Sequence, residues 1–186
     1  MKYVVASDIH GSAKWTKELI AAYGREDADR LILLGDLLNH GPRNPFPDEY
    51  DPQQVADLLN GYKQDIIAVR GNCDSEVDQM LFEFPMMSDS ALLALGERLV
   101  FLTHGHLFDR DNPPQLNDGD ILICGHFHID AAEDVSFKDR EGKFLYCNPG
   151  SISLPKGDSD RGYMVLEPGK ISWKRMDGAE FRSVPL

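Results

Sequence analysis

Five short apolar runs each end on a side chain able to bind a metal ion, and no other feature constrains the fold as tightly. Tyr3–Ser7 leads into Asp8 and His10, Leu31–Gly35 into Asp36, and Ile66–Gly71 into Asn72. Leu99–Thr103 leads into His104, and Ile121–Gly125 into His126 and His128. Each run is rich in Val, Ile and Leu and stops at glycine or a polar residue, which reads as a buried strand. In open α/β sheets, ligands gather outside the carboxyl ends of the strands. The chain is therefore expected to deliver oxygen and imidazole groups from distant points to one sheet edge.

Between these runs the first half alternates strand and helix. Ser12 caps an expected helix to about Gly24, with Leu19, Ile20 and Tyr23 on one face. Asp51 followed by Pro52 starts a second, with Val55, Leu58, Leu59 and Tyr62 at helical spacing. A third is expected from Asp74 or Ser75, carrying Val77, Leu81 and Phe84 and turning its positive end toward the site. Such alternation implies βαβ units with right-handed crossovers. From Ala91 onward the pattern is strand and turn: a hairpin across Gly96, another across Pro168 and Gly169, and a last strand near Phe181–Val184. Asn39–Tyr50, rich in Pro, Asn and Gly, reads as a loop overlooking the site.

The 186 residues suit one domain, 1–186, with a substantial core. No apolar stretch approaches the roughly 20 residues of a membrane span, and the immediate entry into a strand argues against a signal peptide. Three cysteines, Cys73, Cys124 and Cys147, form no disulfide framework, which favours a reducing cytoplasm. A formal net charge of −12 argues against a duplex nucleic acid partner. Two divalent ions would nevertheless add about +4 locally, so the site can attract phosphate while the surface repels it. The acidic stretches Asp27–Asp29 and Asp158–Asp160 read as solvated surface.

Singly, the motifs are weak, since Asp-x-His and a strand-ending Gly-Asp are common by chance. The two His-x-His pairs are stronger, because alternate residues at a strand end project to one side. Of 6 histidines, five (His10, His104, His106, His126, His128) lie in these strand-end motifs. In this order the signatures SDIHG, LLGD, RGNCD, LTHGH and GHFH resemble the calcineurin-like metallophosphoesterases. The stretches DLLNHGPRNP, VRGNCDSEVDQM, FLTHGHLF and NPGSISLPKG resemble its small bacterial phosphodiesterases.

That resemblance implies an α/β fold of four layers, two packed β-sheets flanked by helices, with a two-metal site between the sheets. It implies that Asp8, His10 and His128 hold one ion, that Asn72, His104 and His126 hold the other, and that Asp36 bridges them. It implies Mn²⁺ first among the metals, with Fe, Zn²⁺ or Ni²⁺ as alternatives, and the mixed oxygen and imidazole donors disfavour a thiolate-selected ion. The reaction implied is hydrolysis of a small phosphodiester by a hydroxide shared between the ions. A phosphomonoesterase, a nucleotidase or nuclease, and a non-catalytic scaffold on the same fold are the rival readings. Small members often self-associate, although no patch in this sequence compels it.

The chain departs from the wider family at one position. Where many members read GNHD or GNHE, this one has Cys73, a poorer proton donor, which leaves the general acid unidentified and favours activated leaving groups. Cys73 is expected to line the site without nucleophilic chemistry, with simple filler or a thiol kept partly ionised by the metals as the other readings, and Cys124 and Cys147 to be packing residues. Asn72 would neutralise charge on phosphate oxygens. His106 either contacts phosphate and the leaving group or orients its neighbours. His40 and Arg43 are expected as substrate contacts or as solvated loop residues, with Arg43 suited to a phosphate oxygen. The NPGS turn at Asn148–Ser151 is expected either to shape the loop near the site or to be a turn with no other duty.

Overall fold

The computed structural model describes residues 1–186. The five apolar runs become β1 (Tyr3–Ala6), β2 (Arg30–Leu33), β3 (Ile66–Ala68), β5 (Arg98–Thr103) and β6 (Ile121–Ile123), interleaved with α1 (Ala13–Glu26), α2 (Pro52–Asn60), α3 (Glu76–Gln79) and β4 (Ser90–Leu95). β7 (Asp130–Ser136), β8 (Lys143–Pro149), β9 (Gly162–Glu167), β10 (Lys170–Arg175) and β11 (Glu180–Pro185) complete the chain. They form a six-stranded sheet ordered β11-β10-β9-β1-β2-β3 and a five-stranded sheet ordered β4-β5-β6-β8-β7. β1, β2 and β3 run parallel, as do β5, β6 and β8. Both expected hairpins are present, with Gly96 and Gly169 at positive φ in their turns.

Apolar side chains between the sheets, among them Val5, Ile32, Leu102, Ile121, Met164 and Trp173, form one core cluster. A second cluster packs α1 and α2 on the outer face of the six-stranded sheet through Leu19, Ala22, Val55 and Leu59. The other outer face is covered by Leu116 and Phe137 from irregular segments, without a helix. The helix caps are those expected: Ser12 Oγ accepts from the Trp15 N–H, and Asp51 Oδ1 accepts from the Gln54 N–H with Pro52 in the first turn.

The third helix is a correction. It ends at Gln79, one turn after Ser75, and Val77, Met80 and Leu81 are exposed. Beyond it Phe82, Phe84 and Met86 are buried while Glu83 and Pro85 are exposed, the period-two pattern of an extended chain. The Gln79 amide replaces the lost helical bonds, donating to Phe84 O and accepting from the Met86 N–H. A single turn has no appreciable dipole to direct at the site.

Candidate functional site

The carboxyl ends of β1, β2, β3, β5 and β6 bring the seven expected metal-binding side chains together. Asp8 Oδ1 lies 3.3 Å from His128 Nε2 and 3.6 Å from His10 Nε2. Asp36 Oδ2 lies 3.5 Å from His104 Nε2 and 3.8 Å from His10 Nε2. His104 Nε2 is 3.1 Å from Asn72 Oδ1 and 3.3 Å from His126 Nδ1. Asp36 thus stands between the two groups, touching His10 of one and His104 of the other. Asp8, His10 and His128 form one cluster able to hold a cation, and Asp8, Asp36 and His104 another. His10, Asp36 and Cys73 form a third, bringing the thiol within ligand range.

Backbone carbonyls set the imidazoles. His10 Nδ1 faces Asn39 O at 2.7 Å, His104 Nδ1 faces Leu34 O at 2.6 Å, and His128 Nδ1 faces Leu154 O at 2.6 Å. A carbonyl only accepts, so each Nδ1 carries a proton, and a ring in its neutral form presents a bare Nε2 to the centre. The Nε2 atoms of His10 and His128 are then 3.2 Å apart, lone pair toward lone pair. Asp8 Oδ1 beside them is buried without a hydrogen-bond partner. Facing acceptors and an orphaned carboxylate oxygen are unfavourable alone and are stabilised by a cation. The donor set therefore fits a bound metal.

The ionisation pattern agrees. Burial opposes charge on Asp8, but His128, His104 and His10 outweigh it and hold the carboxyl below the usual range. Asp36 is lowered against burial by His104. Burial opposes a charge on His104 too, yet Asp36 and Asp8 raise it to about 9. The two carboxylates thus demand positive charge, from an imidazolium or from metal ions. Burial lowers His10, and burial and His104 lower His126.

Two glycines make this approach feasible. A Cβ on Gly71 would stand 2.1 Å from Asp36 Oδ1, and one on Gly125 would stand 1.9 Å from Ser7 Oγ. Asp8 Oδ2 accepts from Ser7 Oγ at 2.6 Å and from the His126 N–H at 3.0 Å, while Ser151 and Ser153 donate to its backbone carbonyl at 2.8 Å. The turn at Asn148–Ser151 thus braces Asp8, and Asn148 also donates to Gly125 O.

Asp74 has a larger part than the sequence indicates. Its carboxylate is buried and accepts from the backbone N–H groups of Asp36, Leu37 and Gly71 at 2.7–2.9 Å. Burial and Asp36 push it up to about 6, against those donors. It sits in GNCD, but as the start of a helix pattern it gave no separate signal.

An open cleft of about 750 Å³ lies over the centre. Its walls include Asn39, Gly41, Arg43, Asn44, Cys73 and Lys156. Arg43 therefore faces the cleft, whereas His40 is absent from its walls and packs on Phe46 and Tyr50, with ring centroids 4.4 and 5.4 Å away. His106 is also absent from those walls, its ring centroid 5.4 Å from that of His104. Burial and the Asp36 carboxylate push the Cys73 thiol up to about 12. Cys124 and Cys147 are buried, and all three thiols are free. Lys156 is a cleft residue to which the sequence alone assigns no role, although it stands in NPGSISLPKG, because its turn has no periodicity.

The family model for the calcineurin-like phosphoesterase superfamily domain matches residues 1–170. The chain belongs to the calcineurin-like phosphoesterase superfamily. Phosphodiesterase YfcE of Escherichia coli (strain K12) is 45% identical over 172 residues, 92% of this chain and 90% of that protein. The solved structure of YfcE, described as a phosphoesterase from E. coli, superposes with a TM-score of 0.92 at 42% identity, covering 100% of this chain and 99% of that one. Vacuolar protein sorting 29 from Cryptosporidium parvum, at 16% identity and a TM-score of 0.61, shares the fold alone over 100% of this chain and 98% of that one. Contacts of 3.1–3.8 Å link the seven polar groups of this chain into one cluster, which a surface used only for docking does not need.

Proposed function

We propose that this protein is a metal-dependent phosphodiesterase that hydrolyses small phosphodiesters at a two-cation centre between its sheets. The facing Nε2 atoms of His10 and His128 beside the orphaned Asp8 oxygen carry the reading. Asp8, His10 and His128 would hold one cation and Asn72, His104 and His126 the other, with Asp36 placed to serve both. Mn²⁺ suits these oxygen and imidazole donors. Two such ions supply, when bound, a water of lowered pKa and a clamp for phosphate oxygens.

The residues of the chain do the rest. The carbonyls of Asn39, Leu34 and Leu154 fix the imidazole tautomers, so no ring must reorient on loading. The Asn72 amide, exposed in the cleft, donates to a non-bridging phosphate oxygen. Cys73 lines the cleft beside it, with Asn72 Nδ2 3.2 Å from its sulfur, and takes no nucleophilic part. His106 packs on His104 and positions it. Three free thiols suit a reducing cytoplasm.

Turnover of bis-p-nitrophenyl phosphate with Mn²⁺, its loss on chelation, and slower turnover of the monoester are the expected results. Asp36→Ala and His128→Ala should each lower kcat/KM by about 10³-fold or more with the fold intact by circular dichroism. Wild-type rates in both variants would overturn the assignment.

A further inference from the structure

Two cations of the cleft have no internal partner. Arg43 and Lys156 lie on its walls, and neither takes part in an ion pair or a side-chain hydrogen bond. Elsewhere in this chain of net charge −12, cations such as Lys143, Lys170 and Arg175 are each held by a carboxylate. Both loops are tied to the same side of the centre. The Arg43 loop is fixed where Asn39 O meets His10 Nδ1, and Lys156 where its N–H donates to His128 O at 2.9 Å. Apart from the seven proposed ligands, the polar cleft walls are those two cations, the amides of Asn39 and Asn44, and the Cys73 thiol. Those wall residues include no free imidazole or carboxyl group to protonate an alkoxide, and His106 stands behind His104 rather than on the walls. The walls are built to stabilise a departing anion.

The charge balance points the same way. Two divalent cations against Asp8, Asp36 and the Asp74 carboxylate leave about +1, and Arg43 and Lys156 raise this to about +3, whereas an ordinary diester brings only about −1. A second anionic group on the leaving side corrects both the charge and the missing proton donor.

We propose, resting on the phosphodiesterase reading above, that the cleft takes diesters whose phosphorus is joined through an anhydride oxygen to a second phosphate, and that Arg43 and Lys156 hold the departing phosphate. Water gives its oxygen to one phosphorus. The bond from that phosphorus to the bridging oxygen breaks, and its electron pair stays on the bridging oxygen. Both protons of the water pass to solvent, leaving two phosphomonoester dianions.

The test compares diadenosine pyrophosphate, adenylyl-adenosine and bis-p-nitrophenyl phosphate on the Mn²⁺-loaded protein. The pyrophosphate should exceed the dinucleotide in kcat/KM by about 10²-fold or more, the contribution a general acid would otherwise make. Lys156→Ala and Arg43→Ala should each lower the ratio of kcat/KM for the pyrophosphate to that for bis-p-nitrophenyl phosphate by about tenfold. Calorimetry with the methylene-bridged analogue of diadenosine pyrophosphate should show Kd raised by a similar factor in both variants. Turnover of bis-p-nitrophenyl phosphate without turnover of the pyrophosphate overturns this proposal and leaves the phosphodiesterase reading standing. So does an equal loss on both substrates, or an unchanged Kd. Inactivity toward all three overturns the phosphodiesterase reading as well.

Discussion

Asp8, His10, Asp36, His126 and His128 all hold positive φ, between 50 and 66°, a conformation that L-residues with a side chain adopt at a cost of roughly 1–2 kcal/mol each. Only two other non-glycine residues, Asp27 and Glu49, share it. The strain persists because the surroundings over-determine it: Ser7, Ser151 and Ser153 grip Asp8, and the Asp74 carboxylate grips the backbone of Asp36. Asp74→Asn replaces a three-fold acceptor with a group that must also present donors. It should cost about 1–3 kcal/mol in urea denaturation and about 10–100-fold in Mn²⁺ affinity by calorimetry. Unchanged affinity would show that the Asp36 loop holds its shape unaided. Gly71→Ala should reduce activity and metal affinity together, because its methyl group would displace the Asp36 carboxylate. The ligand types at this scale were legible, since they end apolar runs. Asp74 and Lys156 were not, because a residue that grips backbone or lines a cleft from a turn leaves no periodic trace.

Among the elements, α1 is fastened to the six-stranded sheet by one carboxylate. Glu26 accepts from Lys174 Nζ at 2.8 Å, Tyr163 Oη at 2.8 Å and Lys2 Nζ at 3.2 Å. Burial would raise its pKa, but these partners outweigh burial and hold it below 4.5. A folded-state value below the unfolded one contributes stability above about pH 4.5, and that contribution fades as pH falls through the folded value. Glu26→Gln should therefore cost about 1–2 kcal/mol at pH 7 and progressively less below pH 4.5, read from urea midpoints across that range. A cost independent of pH would refute the ionic role. The strands β1, β2, β3, β5 and β6, the two hairpins, α1 and α2 were readable from hydrophobic pattern and caps. β7 was not, because it is an edge strand, paired only with β8, whose Asp130, Glu133 and Asp134 carry no apolar period. The third helix was overread, because Val77, Leu81 and Phe84 fit helical spacing by coincidence, while Phe82, Phe84 and Met86 alternate into the core.

At the scale of the whole molecule, the inter-sheet core sets the site by holding two sets of parallel strands so that their carboxyl ends oppose. A bound metal pair would act as a staple between the sheets. Mn²⁺ at about 100 times its Kd should stabilise the fold by about 2.7 kcal/mol, visible as a raised Tm that chelation reverses and Asp36→Ala removes. A Tm indifferent to Mn²⁺ would mean that the centre does not bind it. The amino-acid sequence alone determined the buried strands, the residue types at their ends and the glycines between them, because hydrophobic period and chain punctuation are local properties. Only the tertiary structure decided that two Nε2 atoms face each other beside a bare carboxylate oxygen, that Asp74 holds the Asp36 loop, and that Arg43 and Lys156 share one cleft. Those relations span up to the full width of two sheets, and contacts between distant segments are fixed by packing, which no short window of sequence contains.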